Sequence, residues 1–205
     1  MKRTAVIFFL LGCLLPMYAQ GGLTASQVLT KAIGVMSNPK GVEVKFKVSS
    51  QGYSGVGTIL TISPKYHVAL PEVEVWYNGK DLFTYNKNTE ETTVVNPTPE
   101  ELAESNPLAY VTSAPANYNV SFSTVKKGGS YVLELTPKKK GAEIKRITLT
   151  VRQTDYVPQK IVIEPKSGNP VTADINSFKT GVAVNNSDFE YPKMKYPKVE
   201  LIDLR

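Results

Sequence analysis

Cysteine and histidine are almost missing from this sequence of 205 residues, which holds one of each, Cys13 and His67. A lone cysteine forms no internal disulfide, so the fold must rest on packing. One histidine offers neither a Cys–His nucleophile pair nor a His-rich metal site, and no His-Glu-x-x-His or Gly-x-Ser-x-Gly run occurs. His67 lies beside Tyr66 in a strand-like run and reads as a half-buried structural residue. Glu72 with Glu74, and Glu90 with Glu91, are the carboxylate pairs open to acid–base work. Adjacent glutamates on exposed strands are common, so glycosidase chemistry is the minor reading. Gly52, Gly55, Gly57, Gly128 and Gly129 precede strands and not helices, which excludes a phosphate cradle. Basic motifs interleaved with aromatics are missing too, so nucleic acid is not an expected partner. The chain is expected to be no enzyme, with no cofactor and no metal.

Long apolar runs are also scarce. The one at 5–15 follows Met-Lys-Arg and precedes Met17-Tyr18-Ala19. A basic start, a short apolar core and a small residue predict an export signal over 1–19, cleaved after Ala19, with 20–205 as one domain. That run is too short for a spanning helix, which needs ~20 apolar residues. Leu10-Leu11-Gly12-Cys13 has the pattern of a lipoprotein processing site, so lipid anchoring at Cys13 stays a minority alternative. Lysine and arginine number 24 against 18 acids, for a net charge of +6. Two of the cations, Lys2 and Arg3, fall in the signal. Lys138-Lys139-Lys140 with Lys145 and Arg146, and Lys193, Lys195 and Lys198, are the visible clusters. They read either as solvated loops and edge guards or as a surface for acidic lipid or an acidic partner.

Periodicity supplies the elements. Thr24 to Met36 predicts a helix with Thr24 as cap, Gln27 completing a capping box, and Leu23 stapled onto Val28. Val28, Leu29, Ala32, Ile33, Val35 and Met36 share its apolar face. From Gly41 the period becomes two: Val42, Val44, Phe46 and Val48 alternate with polar residues. Strand patterns follow at 54–62, 65–70, 72–77, 80–85, 90–96, 118–125, 130–136, 144–152, 158–164 and 171–180, about eleven strands in an antiparallel meander. Gly55 and Gly57 predict a bend or the close approach of another backbone. Between Asn96 and Asn117 the pattern breaks. Thr98-Pro99-Glu100-Glu101 starts one short helix and Asn106-Pro107 a second, ended by Pro115. Such a segment has few backbone ties to a sheet and suits a movable cover. The tail, with Val199, Leu201, Ile202 and Leu204, has the content of an edge-packing strand.

Trp76 to Val95 organises the middle of the chain. Asn78-Gly79 is a strong hairpin signal. A two-residue loop there would set Tyr77 against Lys80, Trp76 against Asp81 and Glu74 against Phe83. One face then carries Trp76, Phe83 and Tyr85, the other Val73, Val75 and Leu82. The run Asn78 to Asn86 resembles the central hairpin of the periplasmic outer-membrane lipoprotein carrier (LolA-like) family. Asn106-Pro107-Leu108 resembles that family's lid, Leu135-Thr136-Pro137-Lys138 the end of a later strand, and Phe189-Glu190-Tyr191-Pro192 its closing region, with the proline one place early.

The resemblance implies a mainly β (α+β) fold, an open, strongly curved antiparallel sheet covered by the first helix and a short helical lid. It implies a monomeric periplasmic carrier that hides the acyl chains of lipoproteins between the inner and outer membranes. Its partners would be an inner-membrane ABC-type release complex and an outer-membrane acceptor or membrane surface. A sensor of mislocalised lipid or lipoprotein with the same fold is the alternative. Within this frame Trp76, Phe83 and Tyr85 are expected to look into the hollow, met by Leu102, Leu108, Tyr110 and Val111 from the lid and Ile33 from the first helix. The family places an arginine before the proline that ends the strand matching 54–62, where it holds the lid. Ser63 stands there in this chain, with Lys65 beyond Pro64. Closure is therefore expected to rest on apolar contacts of Leu102, Leu108 and Val111, or in part on Lys65.

Overall fold

The computed structural model describes residues 22–205. The export signal, its cleavage site and Cys13 lie outside the described residues. Helix α1 (Ala25–Met36) begins as its capping box requires: Thr24 Oγ1 accepts from Gln27 N–H at 3.2 Å, and Gln27 Oε1 accepts from Thr24 N–H at 2.9 Å. Its buried stripe is Ala25, Val28, Leu29, Ala32 and Met36, the spacing of one helical face.

The strands are β1 (Val42–Ser50), β2 (Tyr53–Ile62), β3 (Lys65–Ala69), β4 (Val73–Tyr77), β5 (Leu82–Asn86), β6 (Glu91–Val95), β7 (Tyr118–Phe122), β8 (Ser130–Pro137), β9 (Ile144–Arg152), β10 (Pro158–Pro165), β11 (Val171–Thr180) and β12 (Glu200–Asp203). They form one twelve-stranded sheet in the order β12-β6-β5-β4-β3-β2-β1-β11-β10-β9-β8-β7. The chain runs outward from β1 to β6, crosses the inner face, enters the far edge at β7 and returns until β11 pairs with β1. All pairings are antiparallel except β12 on β6, which is parallel. The tail thus supplies a twelfth strand, one more than the sequence pattern.

Two features bend the sheet. A bulge interrupts the β1–β11 ladder: Lys45 faces Ser177 and Phe46 faces Ile175, which leaves Asn176 of β11 as the extra residue, and bulges add local twist. Opposite Phe46 stands Gly57, where a Cβ would come within 2.6 Å of Leu70, 2.8 Å of the Ala69 carbonyl and 2.9 Å of the Phe46 ring. Only glycine lets those three groups meet. The core fills the inner face: Val44, Phe46, Ile59, Leu133, Leu135, Ile147, Leu149, Val151 and Ile161 are buried beneath α1 and the helices after β6. Each such side chain contributes about 1.5–3 kcal/mol of burial.

The hairpin register differs from the two-residue expectation. Tyr77 pairs with Leu82, Trp76 with Phe83 and Glu74 with Tyr85, so the loop covers 78–81. The Asn78 side chain makes the turn, its Oδ1 accepting from Lys80 N–H at 3.0 Å and Asp81 N–H at 2.9 Å. A polar side chain that bonds its own backbone extends the loop. The shift is by an even number of residues, so the division into two faces survives it.

Between β6 and β7 lie α2 (Pro99–Ser105), α3 (Pro107–Thr112) and α4 (Ala114–Asn117). Thr98 caps α2 through a full capping box with Glu101. Pro115 does not end the segment; it sits in the first turn of α4, where a missing N–H is harmless.

Candidate functional site

Alternation sends Tyr66 of β3 and Val75 and Tyr77 of β4 to the inner face, toward α2 and α3. Met36 and Ser37 at the end of α1, Thr61, Ser63 and Pro64 at the β2–β3 turn, Tyr66 and Tyr77, and Pro99, Leu102, Asn106, Leu108, Ala109, Thr112 and Ser113 from the cover enclose a cleft of about 240 Å³. Among the described residues no charged side chain lines it. Hydroxyls and one amide stand among apolar walls, the usual composition of a small-molecule pocket.

The cover is held unevenly. In α3, Leu108, Tyr110 and Val111 are buried, whereas α2 buries only Ala103. Between them Asn106 is extended (φ −142°, ψ 107°), and its Oδ1 accepts from Leu108 N–H at 3.0 Å. On the cleft side α2 meets the sheet through Tyr66. The Tyr66 hydroxyl lies 2.5 Å from Ser105 Oγ and 3.5 Å from the Leu102 carbonyl, to which it donates. Burial pushes the Tyr66 phenol up to about 12, with the Ser105 hydroxyl pulling the other way. Burial raises Tyr110 likewise. At the far end Lys138 Nζ donates to the carbonyls of Pro115 at 2.9 Å and Ala116 at 3.1 Å.

Several expected positions are corrected. Trp76, Phe83 and Tyr85 share a face as expected, but it is the outer face. Tyr191 stacks on Phe83 at 5.5 Å and meets the edge of Trp76 at 5.6 Å. Tyr196 packs on Tyr85 at 4.5 Å. His67 stacks on Trp76 at 4.9 Å, and burial lowers its pKa, against the pull of Glu74. The reason lies in the tail: Phe189, Tyr191 and Tyr196 need apolar cover, and Phe189 ends 1% exposed. Sequence reasoning placed the more aromatic face toward a ligand, whereas the chain uses it to seat its own end.

Ile33 is half-buried beside the core and does not line the cleft; Met36, one turn on, does. Leu102 and Leu108 line it, while Tyr110 and Val111 sit beneath the cover as its anchors. Ser63 lines the cleft, but Lys65 turns to the outer face, where its Nζ donates to Asn186 Oδ1 at 3.0 Å. Lys65 therefore takes no part in holding the cover. Tyr66 and Tyr77 were missed: strict alternation put Tyr77 on the Val75 face, which was expected to look away from the hollow and which the structure turns inward. Among the described residues no group of three or more His, Cys, Asp or Glu is placed to hold a metal.

An open, curved β-sheet with a helical cover over an apolar cleft defines a class of binding fold. Residues 15–167 match the model of the family described as Outer membrane lipoprotein carrier protein LolA, and the chain belongs to that family. No curated protein matches it. Among solved structures it is similar to an uncharacterized conserved protein from Thermus thermophilus, at 10% identity, TM-score 0.60, covering 87% of this chain and 98% of that one. It is also similar to a LolA superfamily protein from Nitrosomonas europaea, at 14% identity, TM-score 0.44, with 83% and 99% covered. In the MucA/MucB complex of Pseudomonas aeruginosa one chain resembles it at 12% identity, TM-score 0.42, with 82% and 60% covered.

Proposed function

We propose that this chain is a periplasmic, non-enzymatic carrier that hides the acyl chains of lipoproteins in the cleft beneath α2 and α3 and moves them from the inner to the outer membrane. The observation that carries this reading is an uncharged cleft roofed by a weakly anchored helix, in a member of the LolA family. An acyl chain of about fifteen methylenes costs on the order of 12 kcal/mol to leave in water, at ~0.8 kcal/mol per CH₂. A carrier must cover that surface and still let it go. Pockets that enclose a whole ligand span ~300–1,000 Å³, so a cleft of 240 Å³ takes only part of a chain until the cover lifts. Helix α2, swinging about Asn106, is the part that moves, and α3 stays as a fixed wall. Open and closed states within a few kcal/mol of each other allow loading and release. The donor is an inner-membrane ABC-type release complex, and the acceptor an outer-membrane protein or surface.

Native mass spectrometry of the protein purified from the periplasm tests the reading. Bound lipoprotein or acylated peptide is expected on the parent chain. It should be lost from a Leu102→Ser variant that keeps the parent circular dichroism. A parent that is always empty, and that transfers no lipoprotein from membranes in a reconstituted assay, refutes the reading.

A further inference from the structure

The turn joining β8 to β9 and the turn joining β10 to β11 close the sheet at the end where the cover lands. They are tied together, Lys166 N–H donating to the Glu143 carbonyl at 2.7 Å. These turns and the first residues of β9 carry Lys138, Lys139, Lys140, Lys145 and Lys166, all exposed, against one carboxylate, Glu143. Among the described residues none of the five makes an ion pair. Elsewhere Lys160 of β10 pairs with Asp174 at 3.1 Å, Lys179 of β11 with Glu43 at 3.3 Å and Lys87 of the β5–β6 turn with Glu74 at 3.0 Å, while Lys45 and Lys47, spread along β1, make no ion pair among the described residues. Arg146, next along β9, is held by Glu164 at 2.7 Å. The rim itself offers lysines alone, with no tryptophan, tyrosine or free arginine of the kind that anchors a protein interface. Positive charge density without an anchor suits a bilayer, whose recognition needs only charge.

We propose that this lysine rim docks the protein on an anionic phospholipid bilayer, and that docking competes with the landing of the cover. Lys138 is the shared group. Its ammonium holds the carbonyls of Pro115 and Ala116, the last of the cover, and its N–H holds the carbonyl of Asn117 at 2.9 Å. A lipid phosphate is a charged acceptor and binds an ammonium more strongly than a neutral carbonyl does. Contact with phosphates draws Lys138 outward and loosens residues 113–117. The cleft opens at the opposite end of the strands, beside Pro64 and Pro99. A protein seated on its rim keeps that mouth toward water, open to a second protein. The docking step stands apart from what the cleft carries; only its use in release rests on the carrier reading.

The test uses the full exported chain with two kinds of vesicle, phosphatidylcholine alone and phosphatidylcholine mixed with phosphatidylglycerol. Flotation should show binding to the mixed vesicles alone, abolished near ~0.5 M salt, where screening is within a few ångströms. Lys139→Gln, Lys140→Gln and Lys145→Gln together should weaken it roughly 100-fold, at about fivefold per lysine. Lys126→Gln with Lys127→Gln, at the other end of the sheet, should leave it unchanged. Hydrogen exchange over 113–117 should rise on the mixed vesicles, and Lys138→Met should show the same rise without them. Equal binding to both vesicles, or no loss in the triple variant, overturns the docking surface. Binding to soluble polyglutamate as tight as to charged vesicles reassigns it to an acidic protein and overturns the proposal too. Unchanged exchange over 113–117 in docked protein overturns the coupling. Each of these outcomes is read without cargo, so it leaves the carrier reading to its own experiment.

Discussion

Removing one oxygen from Tyr66 should free the flap without harming the sheet. The hydroxyl bridges Ser105 Oγ and the Leu102 carbonyl across the cleft, and the ring beneath it is 3% exposed. Tyr66→Phe keeps the ring and opens no cavity. Ser105 keeps its own bond to the Leu102 carbonyl at 3.1 Å, so no buried donor is stranded. The loss is then one net hydrogen bond, about 0.5–1.5 kcal/mol, or about 2- to 13-fold in the open-to-closed ratio of α2. Hydrogen exchange resolved by segment is the assay. Amides of 99–105 should exchange faster by that factor, while those of β8, β9 and β10 should not change. An unchanged α2, or a rise spread evenly over the sheet, refutes the argument that Tyr66 is the principal polar tie of α2 to the sheet.

The same tyrosine sets an alkaline limit. Its folded pKa of about 12 lies above the ordinary 10, so its share of stability is whole below pH 10 and is lost as pH rises toward 12, up to roughly 2.7 kcal/mol; urea melts of Tyr66→Phe should show a shallower alkaline fall than the parent. Phe189→Ala, at a site 1% exposed, should cost ~3–5 kcal/mol and shift Trp76 emission to the red as the tail detaches, whereas an apolar ligand in the cleft should leave Trp76 emission unchanged. Gly57→Ala should cost about 1–3 kcal/mol by thermal melting, since the added methyl has no room between Leu70 and Phe46.

The elements were legible because each carries a local signal. The capping boxes at Thr24 and Thr98, the proline starts of α2 and α3, and the two-residue period of β1 all depend on neighbours in the chain. The face of the Trp76 hairpin was not legible, because its cover comes from more than a hundred residues away, and Tyr191 and Tyr196 give no sign of which surface they seek. The same holds for the cover's ties. Tyr66 was visible only as a strand residue beside His67, and its bond to Ser105 exists because α2 crosses over β3. Lys65 looked suited to that role by position and was drawn instead to Asn186 of the tail. Distance along the chain separates what could be read from what could not.

The pairing of β1 with β11, in which Val42 meets Thr180, bears on how the molecule is made. A chain delivered from its N-terminus presents β1 to β6 early, and those strands can zip as local hairpins within microseconds. One side of β1 then waits, an unpaired edge with Val44, Phe46 and Val48 beside it, until β11 arrives near the end of synthesis. Long-range strand pairing of this kind is slow and leaves sticky edges open meanwhile. A cell producing this protein in bulk would need a chaperone that shields one half of the sheet while the other is still arriving.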